Sequence, residues 1–573
     1  MEEYMRLLLY MDRKGIVMDM KTVCNEFIEH FTDSTIGKFH PLTYLLEIDV
    51  MDLLDQFPEI GFLLINEPLK FNNICNDILF ACVQSFESEF IQHIRQAQFR
   101  VTLRVKCVPK VMTDKKSRYE SLTTYYGTLI YISKPTSSVL HSVWTCPEEC
   151  EGNEVILHYI PKVSPKCFVC KSILFENSGL RRCGERVIAT FKSNYMICKN
   201  FYVTDDLIKK LNLGSNYAVH IVVLKKTVAV WSLEEISSLH LPKSYSVPTD
   251  IREIFTQCKE VPWKFIYCLA SSVGIHTSPF GCFMNVKINL IVSLVSVKAH
   301  ARTGSPIVHF LAAGYDTSYV CELMSLAASL SDRYTVVGVS NTSVTTALTA
   351  ASGGICLMPL QIQFYTHKHI HTIISALETN SITYEGNSAK LKCAVWAHGR
   401  DFKKLSLHNI GSVFGIVSRG DYGENLDEIV DLRLQQAEEA PKITQEEIKA
   451  LKDIATYIDL VADIRVTLSN VTEKILRSYF LAARRESPNV VPVATMGALA
   501  ALCMTSAKLC QRNATTTDDA VFAIWLHVCG TPEPRYAPDE YLQTPPSIKK
   551  LHKIIEDFKD WLEKFIGQPI STF

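Results

Sequence analysis

One stretch constrains the fold more than any other: an apolar run, Ile307-Val-His-Phe-Leu-Ala-Ala313, that breaks at a single glycine and is followed by a helix-like segment. The order predicts a strand, a turn opened by Gly314, a helix from Glu322 to Leu330, and a second apolar strand across Gly353-Gly-Ile-Cys-Leu-Met-Pro-Leu360. A strand, a glycine turn and a helix place backbone N–H groups where they can meet a phosphate, which is the layout of a P-loop.

The side chains that such a turn needs are absent. A working loop requires a Lys to reach the outer phosphates and a hydroxyl to bind Mg²⁺. Counted from Gly314, the Lys position holds Val320 and the hydroxyl position holds Cys321. The second strand should end in two carboxylates, one for the metal and one to activate water, yet Pro359 and Leu360 stand there. Neither binds a hard cation or accepts a proton.

At 573 residues the chain is too long for one core, so about three domains are expected. With 59 basic against 60 acidic residues it has no overall basic footprint for nucleic acid. Nineteen cysteines, mostly isolated in apolar segments such as those around Cys82, Cys268 and Cys503, read as small hydrophobes in a reducing compartment. The opening Met1-Glu-Glu-Tyr-Met-Arg is acidic where a secretory leader would be basic. The longest apolar run, Ile288 to Val297, is about half a membrane span, so a soluble intracellular protein is expected.

Taken in order, residues 1–97 read as a helical bundle, with a leucine stripe from Leu45 to Leu54 before Pro58. Residues 98–247 switch to period two, with strands at Val101–Val108, Tyr125–Ile132, Val155–Tyr159, Arg186–Phe191, Tyr217–Leu224 and Val228–Trp231. A helix-like interruption at Asp205–Leu211 completes the pattern of an oligonucleotide-binding (OB) barrel. Within it, Cys146-x₃-Cys150 and Cys167-x₂-Cys170 form two close pairs sixteen residues apart, the spacing with which two knuckles present four thiolates to structural zinc. Cys183 is the substitute ligand should one pair be incidental. Residues 248–301 are an apolar helical connector, and His300–Pro306 is the linker candidate. Residues 302–421 form the α/β domain. After an acidic spacer, Thr444-Gln-Glu-Glu447 opens a helical segment at 442–530 as a capping box, and a helical tail covers 531–573.

Several motifs, in this order and spacing, resemble the minichromosome maintenance (MCM) helicase family. They are Tyr44-Leu-Leu-Glu-Ile-Asp-Val-Met-Asp-Leu-Leu54, Ser352-Gly-Gly-Ile-Cys356, His371–Ile382, Lys392-Cys-Ala-Val395, Leu468–Arg485 and Thr517-Asp-Asp-Ala-Val-Phe-Ala-Ile524. The resemblance implies a multidomain α/β fold: an N-terminal helical bundle plus an OB barrel with a zinc ribbon, then a degenerate AAA+ P-loop domain with a helical lid. It also carries the ATPase losses further. The sensor asparagine falls within Val395 to His398, where His398 replaces it; the arginine finger falls on Val413, and the lid sensor arginine near Ala494. The two DNA-pulling hairpins are shortened, at Thr383–Asn387 and Arg400–Leu407. No ATPase activity and no functional ATP or Mg²⁺ are therefore expected.

An ATPase-degenerate branch of the family is the most similar, which implies a nuclear scaffold or complex subunit in meiotic recombination and double-strand-break repair. The alternative is a non-catalytic subunit of an active MCM-type ring. The implied partners are other MCM-like or recombination proteins and DNA, with no membrane. Lys110, Lys115, Lys116, Arg118 and Lys199 are the candidate phosphate contacts.

Overall fold

The computed structural model describes residues 2–33, 41–86, 96–109, 121–148, 150, 155–193, 197–224, 227–236, 246–315, 317–338, 343–384, 387–399, 413–420, 426–438, 444–487, 491–531 and 535–570. They form two compact units, Met1–Leu239 and His240–Phe573.

The first unit begins with helices α1 (Glu2–Arg13) and α2 (Ile16–Asp33), strand β1 (Leu42–Asp49), and helices α3 (Val50–Gln56), α4 (Pro58–Asn66) and α5 (Pro68–Gln84). The run Leu45–Leu54, expected as one helical stripe, is thus a strand followed by a helix. Its leucine doublets suit either period, and a long-range partner decides between them. Strand β2 (Phe99–Lys106) pairs with β1 in parallel, from Leu42↔Phe99 to Asp49↔Lys106. Tyr44, Leu46 and Ile48 then face the core while Leu45 is 55% exposed. Asp49 ends the strand and starts α3, its carboxylate accepting from the Asp52 N–H at 3.1 Å. A further consequence is that β2, expected in the barrel, belongs to this small sheet instead.

The remaining strands are β3 (Leu122–Ile132), β4 (Thr136–Thr145), β5 (Val155–Leu157), β6 (Phe175–Glu176), β7 (Arg182–Lys192), β8 (Cys198–Thr204), β9 (Asn216–Leu224) and β10 (Thr227–Glu235). The path β3-β9-β10-β8-β7 closes on itself through β7–β3 pairing, from Thr128↔Lys192 to Ile132↔Ala189. Leu129, Val187, Phe191, Phe201, Val203 and Val219 fill this five-strand ring. The interruption at Asp205–Lys210 is a 3₁₀ turn, and Asp206 holds the buried Arg104 guanidinium at 2.6 and 3.1 Å. Strand β4 pairs with β7 at one end, and at the other it carries β5 and β6, with Trp144 facing Val155 and Glu176. The cysteine pairs sit at that far end.

In the second unit, helices α6 (Thr249–Gln257), α7 (Pro262–Ser271) and α8 (Met284–Thr303) precede a sheet of β11 (Phe310–Ala313), β12 (Tyr334–Val336), β13 (Ile355–Gln361), β16 (Ala394–Gly399) and β17 (Ile416–Arg419). Between these strands come α9 (Thr317–Ser329), α10 (Val344–Ala350), α11 (His367–Thr379) and the hairpin β14 (Ser381–Tyr384) with β15 (Asn387–Lys390). The five sheet strands are all parallel, in the order β12-β13-β16-β11-β17. Helices α12 (Leu426–Glu438), α13 (Gln445–Ala462), α14 (Asn470–Glu486), α15 (Ala494–Leu509), α16 (Thr517–Cys529) and α17 (Ile548–Ile566) complete the unit. The capping box expected at Thr444 is present in part, with the Thr444 hydroxyl accepting from the Glu447 N–H at 3.1 Å.

The apolar "connector" is the centre of this unit rather than a link. Helix α8 is buried almost all round, and the two serines that interrupt its apolar run, Ser293 and Ser296, have partners, whereas the Asn289 side-chain oxygen is buried without one. Ser293 donates to the Val308 carbonyl at 2.6 Å and accepts from the Trp396 indole at 2.8 Å. The expected linker is also shorter than read, because His300–Thr303 form the last turn of α8 and Gly304, at φ +71°, caps it. Among the described residues no helix is long and apolar enough to cross a membrane.

Gly354, from the glycine pair of the second apolar strand, is required by close approach. A Cβ there would stand 1.8 Å from the Arg333 carbonyl oxygen, which accepts from the Ile355 N–H at 3.0 Å. Gly354→Ala is therefore expected to destabilise the second unit by about 3 kcal/mol. A fall in urea midpoint with unchanged slope would report it.

Candidate metal centre and strand-end site

The thiols of Cys146, Cys150, Cys167 and Cys170 converge, all four sulfurs lying within 4.8 Å of one another and Cys146 Sγ 3.4 Å from Cys170 Sγ. Four thiolates at ~2.3 Å around a tetrahedral ion stand about 3.8 Å apart, so the donor set and spacing fit a metal ion with only small side-chain adjustments. The second knuckle is a tight hairpin. Cys167 N–H donates to the Ser172 carbonyl at 2.8 Å, Lys171 N–H donates to the Cys167 carbonyl at 3.2 Å, and Lys171 turns the chain at φ +62°. Hydrogen bonds from Ser172 pull the Cys170 thiol down to about 6, while the bond to Cys170 pushes Cys150 up to about 12. Burial raises Cys146 as well. Crowded thiols resist joint ionisation, and a cation among them removes that resistance.

The apolar support for this cluster is small: buried Trp144, Cys146, Cys167 and Leu174, with Val155 and Leu157 against them. Cys183, the substitute ligand, stands exposed on β7 opposite Val139 and is not one of the four converging sulfurs. Sequence reading passed over Ser172, although its place two residues after the last cysteine of a Cys-x₂-Cys pair is the signal that would have found it.

At the carboxyl end of β11, Gly314 takes φ +77° and donates its N–H to the Gly399 carbonyl at 2.9 Å. Helix α9 begins at Thr317, before the expected Glu322. Only residues 314–316 therefore join strand to helix. Tyr315 is buried over this turn, its hydroxyl 2.8 Å from Ser418 Oγ and donating to the Arg419 carbonyl at 3.0 Å. Cys321 Sγ lies 2.7 Å from the Pro359 carbonyl and 3.1 Å from His398 Nε2, which is itself 3.0 Å from that carbonyl. Burial raises the Cys321 thiol, with Glu322 adding to it, and burial lowers His398. Both groups are uncharged near neutrality.

Three of the predicted positions, Cys321, Pro359 and His398, are thus brought together, and Gly314 bonds to the residue after His398. The others go elsewhere. Val320 is fully buried in the main core, and Leu360 is 40% exposed. Val413 packs against the second core on the other side of the sheet, and Ala494 is exposed on the first turn of α15. Lys199 lies on β8 with its ammonium 5.0 Å over the Tyr125 ring. Lys110, Lys115, Lys116 and Arg118 fall outside the described residues.

Comparison with known proteins agrees with the motif reading. The family model described as "MCMDC2, N-terminal domain" matches residues 3–108. Minichromosome maintenance domain-containing protein 2 of Rattus norvegicus and that of Mus musculus are each 20% identical to this chain, covering 91% of it and 89% of their own length. The Homo sapiens protein of the same name is also 20% identical over the same shares.

Proposed function

From the premise that this chain is similar to MCM domain-containing protein 2 over 91% of its length, we propose that it is a catalytically inactive, MCM-like nuclear scaffold or complex subunit in meiotic recombination and double-strand-break repair. The reading takes the closed five-strand ring as an OB barrel, the four-cysteine module as a zinc ribbon, and the parallel sheet with its helices as a degenerate AAA+ domain. One observation carries the loss of catalysis: where a hydroxyl should meet Mg²⁺, the Cys321 thiol is turned onto the Pro359 carbonyl and His398. Val320, at the position read for the loop lysine, lies inside the core and supplies no cation for a γ-phosphate. Tyr315 occupies the turn over which a phosphate would have to pass.

Zinc, bound by Cys146, Cys150, Cys167 and Cys170, would be structural, since four thiolates leave no open position for water or substrate. The role in recombination rests on the family resemblance.

The purified chain should hydrolyse no ATP, and millimolar Mg-ATP should leave its melting temperature unchanged. A ligand at a hundred times its dissociation constant adds about 2.7 kcal/mol to the native state, so a clear upward shift would overturn this reading. The ring-subunit alternative is decided by the same assay with a co-purifying MCM-like partner. If turnover depends on this chain and survives substitution of Cys321, the chain is a structural member of an active ring.

A further inference from the structure

The cysteine hairpin exposes apolar side chains that nothing in its own fold requires. Between residues 159 and 175, Tyr159, Val163, Phe168, Val169, Ile173 and Phe175 are 60, 82, 85, 64, 55 and 64% exposed, and Phe168 is the most exposed large apolar side chain among the described residues. The geometry is regular. Leu174 N–H donates to the Pro165 carbonyl at 2.9 Å and Lys166 bridges Ile173, so the alternation that buries Leu174 beside Cys167 turns Ile173 and Phe175 outward. A metal-stapled module has too little core to shelter these groups, but polar residues would serve as well there. Apolar ones at such exposure mark a contact surface.

The charge on this face narrows the partner. Lys162, Lys166 and Lys171 are exposed, no Asp or Glu occurs from Val155 to Phe175, and Glu176 is engaged by Arg181 at 2.6 and 2.7 Å. Glu148, Glu149, Glu151 and Glu154 belong to the first knuckle in the sequence, outside this stretch, so the cationic rim is that of the second knuckle alone. Lys171 holds its ammonium 5.1 Å over the Phe168 ring. An apolar centre with a cationic rim is complementary to an apolar stripe flanked by carboxylates. Tyr159, Phe168 and Phe175 are rings on which bases could stack, but Val163, Val169 and Ile173 among them are aliphatic and offer none, so a mixed apolar stripe fits this face better than a strand of bases.

We propose that the outer face of the hairpin Pro165–Leu174, with Val163 and Phe175, docks an acidic amphipathic segment of a partner protein. This deepens the scaffold reading by giving it a partner chemistry, and the two fail separately. ATP turnover would sink the scaffold reading and leave this surface intact.

The test uses the full chain, purified with its metal, and two fluorescein-labelled eighteen-residue helical peptides with the same Leu/Phe stripe. One is flanked by Glu, the other by Lys. The Glu peptide should bind at least tenfold more tightly than the Lys peptide, and Phe168→Ser with Val169→Ser should weaken it at least tenfold at unchanged metal content. The triple variant Lys162→Glu, Lys166→Glu, Lys171→Glu should reverse the preference. Equal binding of both peptides, or of neither, overturns the proposal. So does a preference for a thirty-residue oligo-dT that the serine variants abolish, which would assign the face to nucleic acid, or a change in oligomer mass with those variants, which would assign it to a second copy of this chain.

Discussion

Serine at both Cys167 and Cys170 is expected to strip the metal from the four-cysteine cluster and to unfold the hairpin that it closes, a loss of several kcal/mol and up to the ~10 kcal/mol typical of structural zinc sites. The size follows from how little else holds the module. Its buried set is Trp144, Cys146, Cys167 and Leu174, and two of those four are ligands. Elemental analysis of natively purified protein should find one zinc per chain, falling to none in the double variant. Zinc-free native protein would refute the assignment. The ring of β3, β7, β8, β9 and β10 has its own core of Leu129, Phe191, Phe201 and Val219, so loss of structure should be confined to the β4 extension.

The second large effect is a loss of stability in mild acid. His309 is buried beneath the parallel sheet, its Nδ1 accepting from the Val395 N–H at 3.2 Å, and burial, with His300 adding to it, lowers it to about 4. Burial also lowers His527, beside the Tyr479 hydroxyl, to about 4. The sign is that of a group whose folded value lies below its unfolded value of about 6.5. Above that pH both states are neutral and the native state keeps its full stability. As pH falls toward 4 only the unfolded chain takes up the proton. Each histidine should then remove about 2 kcal/mol by pH 5 and about 3 kcal/mol by pH 4. Urea midpoints at pH 7.5 and 5 give the difference, and His309→Gln should reduce it by roughly half the combined effect of the two histidines. An equal pH dependence in wild type and variant would contradict this.

Local patterns were legible in the sequence and long-range ones were not. The cysteine pairs could be read because a knuckle is defined within a few residues, and the structure converges all four sulfurs. The strands β3, β7, β9 and β10 could be read because they alternate. Strand β4 was missed because it opens with Thr136-Ser-Ser, and β8 because Cys198-Lys-Asn is polar on both faces. Strand β1 was misread because its leucine doublets fit a helix until β2, over fifty residues later, supplies a partner. At the strand end, Val320, Cys321, Pro359 and Leu360 could be read position by position against what a P-loop would need. The meeting of Cys321 with His398 was not, since it depends on the register that sets Gln361 opposite His398 across β13 and β16. No spacing rule reaches across 77 residues to a contact of that kind.

A continuous core also sets how the second unit behaves under load. Trp263 and Phe265 of α7, the inner face of α8, Phe310 and Trp396 of the sheet, and Tyr457, Tyr479 and Trp525 of the C-terminal helices belong to one packed cluster. Aromatic rings interlock across it, Phe265 meeting Tyr457 edge to face at 5.6 Å. A motor must rock a cap against a base, and such rocking needs a seam where side chains can slide without leaving voids. Here the sheet and the C-terminal helices share one core, so the second unit is expected to unfold in a single transition rather than in separate steps.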